Sequence, residues 1–273
     1  MLKKMLISFG FVALRLRSLR VATEYVSEWC NGYIFGSYSL ADEAALALSF
    51  ANNNKQFGGL IIDAGANNGS YTQSLIGSGL GSERVIMIEP APSLRERLIA
   101  LSSENSSVLF EPIAIGAQQG SLELHFDKEG SGFASVYERD LSHVGLVMDT
   151  SVTVPVTTLD QIASKYSLSV VDYLKLDLEG HELEALKGAK RLLDEKRIRA
   201  ITFEFGGCNI DSKTYFKDFW TLLVKHHGFT FYRLAPQRRL IKLGRYSESL
   251  ERFGWHNILA CAPGVEPSWK VIH

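Results

Sequence analysis

One stretch constrains the fold more than any other: Gly59-Leu60-Ile61-Ile62-Asp63-Ala64-Gly65-Ala66-Asn67-Asn68-Gly69-Ser70-Tyr71. Leu60, Ile61 and Ile62 form a short apolar run of the kind a strand buried on both faces carries. Asp63 stands where that strand should end. Gly65 and Gly69 let the backbone turn sharply and approach a ligand closely, and a helix is expected from Ser70. Strand, glycine turn and helix start together make a seat for a small, partly anionic cofactor.

Downstream, strands and helices alternate. The pattern predicts strands at 60–64, 84–89, 108–115, 173–177, 200–205, 230–234 and 257–262, and helices at 70–77, 93–102, 159–166, 182–193 and 214–227. This β-α-β rhythm predicts an α/β fold, a parallel Rossmann-like sheet covered by helices on both faces. Two stretches depart from it. Residues 121–126 alternate after Gln118-Gln119-Gly120 and read as a hairpin strand following 108–115. Residues 234–255 read as a long basic connection with Arg238, Arg239, Lys242 and Arg245.

The first twenty residues hold Lys3, Lys4, Arg15, Arg17 and Arg20 and no acid. Leu2, Met5, Phe9, Val12, Leu16 and Leu19 fall on one helical face. The expected helix packs that stripe on the domain or a second subunit; a basic amphipathic helix on a membrane surface is the alternative. A signal peptide fits less well, because arginines resume at once and no small-residue cleavage site follows. The apolar run is too short to span a bilayer. After the aromatic-rich residues 21–38, Ser39, Asp42 and Glu43 mark the start of a helix over 41–51. Residues 1–55 are therefore expected to form a helical cap and 56–273 the main domain. Net charge is −1, which offers no field for nucleic acid. The three cysteines form no CxxC pair and suit a reducing cytoplasm, with peripheral membrane contact left open through residues 1–20.

Two further markers carry chemistry. Glu89 closes Val85-Ile86-Met87-Ile88 and precedes Pro90, so it falls at the end of the second strand. An acid there can hydrogen-bond both ribose hydroxyls of an adenosine. A dinucleotide fingerprint wants G-x-G-x-x-G under its pyrophosphate; here the spacing is Gly65-x-x-x-Gly69. Asp63 before the loop repels a pyrophosphate and suits a cofactor with an ammonium group. The third marker is Tyr173-Leu174-Lys175-Leu176-Asp177-Leu178-Glu179-Gly180-His181-Glu182. Asp177 falls on the carboxyl edge of the sheet, and Lys175 shares its face. A lysine in a central strand needs a partner, Asp177 or Glu204, and reads equally as a structural ion pair. His181 reads either as a general base toward a hydroxyl or as an exposed histidine near a helix start.

Ile62-Asp63-Ala64-Gly65-Ala66-Asn67-Asn68-Gly69, Ile88-Glu89-Pro90, Pro112-Ile113-Ala114-Ile115-Gly116, and Leu174 to Glu182 followed by Leu186-Lys187-Gly188-Ala189 together resemble the FkbM family of S-adenosylmethionine-dependent methyltransferases. The resemblance spans residues 59–205. It implies a class I methyltransferase sheet of seven strands with the last antiparallel, and methyl transfer to a hydroxyl of a sugar, glycan or secondary metabolite. It also implies that Asp63, Gly65, Asn67 and Gly69 line the methionine end of S-adenosyl-L-methionine and Glu89 its ribose. The backbone near Ala114 would approach the adenine, and Asp177 the transferred methyl. Gly132-Phe133-Ala134-Ser135-Val136 departs from the serine-rich segment of the family and receives no role.

Methyl transfer to an alcohol needs a proton acceptor, and His181, Asp177 and Glu179 are the candidates, with Lys175 beside them. Asp177, Glu179 and Glu204 could instead ligate Mg²⁺, but their spacing is no specific metal signature, and the metal-independent version is the one expected. Two rival readings stand: an NAD(P)-dependent oxidoreductase on a similar sheet, and a non-catalytic protein that uses its basic segments on a membrane or partner.

Overall fold

The computed structural model describes residues 17–30, 39–51 and 59–272. Most of the expected N-terminal amphipathic helix, residues 1–16, lies outside them, as do 31–38 of the aromatic run. No helix of the described residues is long and apolar enough to cross a membrane.

Helix α1 spans Arg17–Cys30 and α2 Leu40–Ala51. The start of α2 is fixed by Ser39, whose Oγ accepts the Asp42 N–H at 3.2 Å while its own N–H donates to Asp42 Oδ2 at 3.0 Å. The alternating region follows as β1 (Leu60–Ala64), α3 (Ser70–Gly77), β2 (Arg84–Ile88), α4 (Arg95–Glu104), β3 (Val108–Glu111) and β4 (Ala114–Ile115). Then come β5 (Gly120–Phe126), β6 (Thr150–Thr157), α5 (Leu159–Lys165), β7 (Val171–Leu176), α6 (Glu182–Lys187), α7 (Lys190–Asp194) and β8 (Ile198–Phe205). The chain continues through α8 (Cys208–Asp211), α9 (Phe216–Phe219, prolonged by a π-helical stretch over Trp220–His226), β9 (Thr230–Ala235), β10 (Arg239–Leu243), β11 (His256–Cys261) and β12 (Lys270–Ile272).

Among the described residues nine strands form one sheet in the order β12-β10-β9-β11-β8-β7-β1-β2-β3. Its core from β3 to β9 is the expected seven-stranded sheet, with β11 antiparallel to both neighbours, β8 and β9. The strand count is corrected by β10 and β12, which widen one edge. Side chains alternate between two apolar layers, as strand pleating requires. Leu60, Ile62, Ala64, Leu174, Leu176 and Phe203 face α5, α6, α7 and α9. Ile61, Val85, Met87 and Tyr173 face α2, α3 and α4. Both faces are thus covered, which is why the inner strands read as continuous hydrophobic runs.

Four expectations need correction. The strand expected over 108–115 divides at Pro112, which has no N–H to continue a ladder: β3 stays in the main sheet and β4 joins a small one. Strand β5 does not pair with 108–115 but runs antiparallel to β6, giving the small sheet the order β4-β6-β5. The basic connection holds β10, which turns back on β9 through Gln237 and Arg238 at φ 60° and 54°. The single helix expected over 182–193 also breaks, at Gly188-Ala189. A Cβ on Gly188 would lie 2.1 Å from the Gly116 carbonyl oxygen, so the chain packs backbone to backbone there.

Candidate active site

The carboxyl ends of β1, β2, β7 and β8 open into a cavity of about 570 Å³. Residues 131–136 and Trp255 close it from other sides, and Glu43 of α2 reaches it as well. Open α/β sheets bind ligands at this edge.

The glycine loop after β1 is set by protein packing. Gly65 has φ +82°, and a Cβ there would lie 1.8 Å from the Asp177 carbonyl oxygen. Gly69, at φ +80°, has Leu101 and Leu98 of α4 where a Cβ would go. The glycines therefore admit the next strand end and a helix, and Gly65 also lines the cavity. Every N–H from Gly65 to Ser70 donates within the protein. Gly65 and Ala66 donate to the Ile88 carbonyl, Asn67 to Glu89 Oε2, Asn68 to its neighbour's Oδ1, Gly69 to Ala66 and Ser70 to Asn68 Oδ1.

Asp63 and Gly69 do not line the cavity, whereas Gly65, Asn67, Glu89, Ala114, Lys175, Asp177, Glu179 and His181 do. Asp63 lies beneath the floor, fully buried, its Oδ2 accepting Thr72 Oγ1 at 2.8 Å. It stands in register with Lys175 across the β1–β7 ladder. Lys175 Nζ lies 2.8 Å from Asp177 Oδ2 and 3.8 Å from Asp63 Oδ1, and 5.1 Å from the centre of the Tyr71 ring. Burial works against the ammonium, but Asp177 and Asp63 outweigh it and raise its pKa, so Lys175 stays charged. Burial raises the Asp63 carboxyl, with Lys175 opposing. Glu204 is not the partner of Lys175.

Glu89 is buried, with Oε2 accepting the Asn67 N–H at 2.8 Å and Oε1 the Ala91 N–H at 2.9 Å. Each oxygen keeps a lone pair for a ligand hydroxyl. His181 is buried, not exposed. Its Nδ1 lies 2.9 Å from the Tyr137 hydroxyl, and its Nε2 edge rests against Gly116, where an added Cβ would approach it to 3.2 Å. Burial lowers its pKa and keeps it neutral. Burial likewise pushes the Tyr137 phenol up to about 12.

Glu179 takes φ +50° before Gly180 and is pushed up to about 7 by burial and then by Asp177. Arg139 Nη1 holds its Oε2 at 2.5 Å and reaches Asp211 with Nε at 3.3 Å. Ser135 Oγ donates to the Glu179 carbonyl at 2.8 Å, and Asn67 Nδ2 to the Ser131 carbonyl at 3.2 Å. Residues 131–139 thus strap the turn after β7 to the glycine loop. Phe133 and Trp255 stack at the cavity wall, ring centres 6.2 Å and planes 13° apart.

Sequence reasoning missed Glu43, Phe133, Tyr137, Arg139 and Trp255. Glu43 reads as a first-turn acid, and the other four sit in irregular segments where no periodicity assigns a direction. The one local signal was an aromatic residue between two small ones at Gly132-Phe133-Ala134. Among the described residues, no group of three or more His, Cys, Asp or Glu is arranged to hold a metal ion.

Several solved structures are similar to this chain at low identity. The methyltransferase FkbM of Methylobacillus flagellatus KT is 17% identical with a TM-score of 0.46, over 74% of this chain and 43% of that protein. The chain thus spans less than half the length of that relative. Aeropyrum pernix fibrillarin, solved with natively bound S-adenosyl-L-methionine, is 13% identical with a TM-score of 0.39, over 81% of this chain and 76% of its own. A Streptococcus mutans protein solved in complex with SAH is 11% identical with a TM-score of 0.42, over 80% of this chain and 96% of its own. No curated protein matches the sequence. The model of the methyltransferase FkbM domain matches residues 63–231, more than half of the chain, and takes in the glycine loop, Glu89 and the Asp177–His181 turn. With those three elements gathered at one sheet edge, the chain belongs to the FkbM methyltransferase family.

Proposed function

We propose that this protein is an S-adenosyl-L-methionine-dependent methyltransferase that O-methylates a hydroxyl of a sugar, glycan or secondary metabolite. The observation that carries the cofactor reading is the glycine loop, in which all six N–H groups from Gly65 to Ser70 are already used. A pyrophosphate needs such groups free. Carboxyls of Glu43, Glu89, Asp177 and Glu179 also line the cavity. They repel a dinucleotide and favour a cation, which argues against the oxidoreductase alternative.

S-adenosyl-L-methionine supplies an electrophilic methyl group on a positively charged sulfur. Glu89, with one lone pair free on each oxygen, is suited to the two vicinal hydroxyls of a ribose. Lys175 holds Asp177 at 2.8 Å, which orients that carboxylate at the cavity wall. Arg139 does the same for Glu179. Asp63 acts from below the floor, by pairing with Lys175 and Thr72. His181, neutral and tied to Tyr137, serves as a wall. The stacked Phe133 and Trp255 offer a flat apolar face to a ring-shaped acceptor whose hydroxyls meet the carboxyls.

Calorimetric titration with S-adenosyl-L-methionine, SAH and NADH tests the cofactor. Binding of the first two and not of NADH is expected, with Glu89→Ala weakening both by tenfold or more, about 1.4 kcal/mol. Tight NADH binding, or full affinity in Glu89→Ala, would end the reading. Labelled methyl transfer screened over glycans and hydroxylated metabolites identifies the acceptor.

A further inference from the structure

We propose that Glu204 takes the proton of the acceptor hydroxyl, and that a cationic cofactor arriving beside it prepares it to do so. The inference rests on the methyltransferase reading above. Glu204 lies near the end of β8, in register with Asn257 of β11, and lines the cavity with Asp177 and Glu179. Its Oε1 is buried and has no hydrogen-bond partner among the described residues. The other cavity carboxyls each have a donor: Lys175 on Asp177, Arg139 on Glu179, two backbone N–H groups on Glu89 and Asn257 on Glu43. A buried oxygen left without a donor costs free energy that a ligand hydroxyl returns. His181 is the weaker candidate, since Tyr137 holds its Nδ1 and Gly116 crowds its Nε2.

The groups facing Glu204 are Asp177 and Glu179 from the turn after β7, Glu182 from α6, Lys175 from β7 and Cys208 from α8. Burial first, and then the three carboxylates, hold Glu204 well above the ordinary carboxylate range, with Lys175 opposing. Without a cation in the cavity it therefore retains its proton toward neutral pH. A sulfonium beside it favours the ionised form, and the proton leaves to water as the cofactor binds. Ionised Glu204 then accepts the hydroxyl proton while the acceptor oxygen bonds the methyl carbon. The methyl–sulfur bond breaks and its electron pair stays on sulfur. The products are a methyl ether and a neutral thioether, Glu204 is again protonated, and one proton has been released per turnover.

The test is calorimetry on the full chain near pH 7, in two buffers of different ionisation enthalpy, with S-adenosyl-L-methionine and with SAH. Wild type should release on the order of one proton with the sulfonium and none with the thioether. Glu204→Gln should bind the sulfonium more weakly and release clearly less than wild type, while Glu179→Gln releases more than Glu204→Gln. Equal release in Glu204→Gln and wild type, or release that does not distinguish the two ligands, overturns the proposal. Failure of wild type to bind S-adenosyl-L-methionine overturns the cofactor reading itself. Infrared difference spectra of wild type need no variant: a protonated-carboxyl band should vanish with the sulfonium alone, and an unchanged spectrum overturns the proposal.

Discussion

Glu182 is fully buried at the start of α6, where its Oε1 accepts the Leu178 N–H at 2.8 Å and the Gly180 N–H at 3.2 Å. It fastens the tight turn that carries Asp177, Glu179 and His181. Burial pushes its carboxyl from 4.5 up to about 7, against the pull of those backbone bonds. The native protein then binds more protons than the unfolded chain between those two values. Stability is therefore fully present below about pH 4.5 and falls as pH rises through about 7, by up to about 3 kcal/mol for such a shift. Glu179, also pushed up to about 7, adds a fall of the same sign. Glu182→Gln should make the loss seen by urea unfolding between pH 5 and pH 7 clearly smaller, and an unchanged slope would refute this. Residue types legible in the sequence were those fixed by a strand end: Glu89 and Asp177 point into the cavity because the pleat leaves them no other side. Asp63 obeys the same rule, yet its alternation with Ile62 turns it toward Thr72 and below the floor.

At the scale of elements, residues 131–139 matter more than their lack of regular structure suggests. They are fixed through Arg139, Ser135 and Ser131, each to a different part of the β1 and β7 turns. Arg139 is a buried cation, so removing it leaves Glu179 without its charge partner. Arg139→Met should cost about 3–5 kcal/mol at pH 8, the range for breaking a buried pair. The cost should be clearly smaller at pH 6, because Glu179 can take up a proton instead of remaining an unpaired anion. Equal costs at the two pH values, read from urea midpoints, would show that Arg139 acts by packing alone. Strand β1, its turn and α3 were legible because periodicity, glycines and helix start agree. Strand β10 was not, since its reverse turn uses Gln237 and Arg238 at positive φ, where glycine or asparagine would have announced a hairpin. The break between α6 and α7 was hidden for a similar reason, because Gly188 stays right-handed there and its close approach to Gly116 is a contact made only in space.

For the molecule as a whole, the sheet separates chemistry from support. The cavity opens where β1, β2, β7 and β8 end, while β10 and β12 extend the far edge. Trp269, just before β12, is buried in the layer that includes Leu234 and Leu240. Trp269→Ala should cost about 3 kcal/mol or more by thermal or urea unfolding. S-adenosyl-L-methionine affinity should stay within about twofold. A large loss of affinity would mean that the edge and the site are coupled. The doubly wound architecture was readable from the rhythm of the chain, but its width was not, because edge strands are short and half-polar. Strand β11 carries a consequence for biosynthesis. It lies between β8 and β9 although it follows both in the chain, and Trp255, His256 and Asn257 at its start line the cavity. While the ribosome is still making that segment, β8 and β9 have no neighbour to join them and the cavity lacks a wall. A chain that stops before residue 255 therefore lacks this wall and has no finished site.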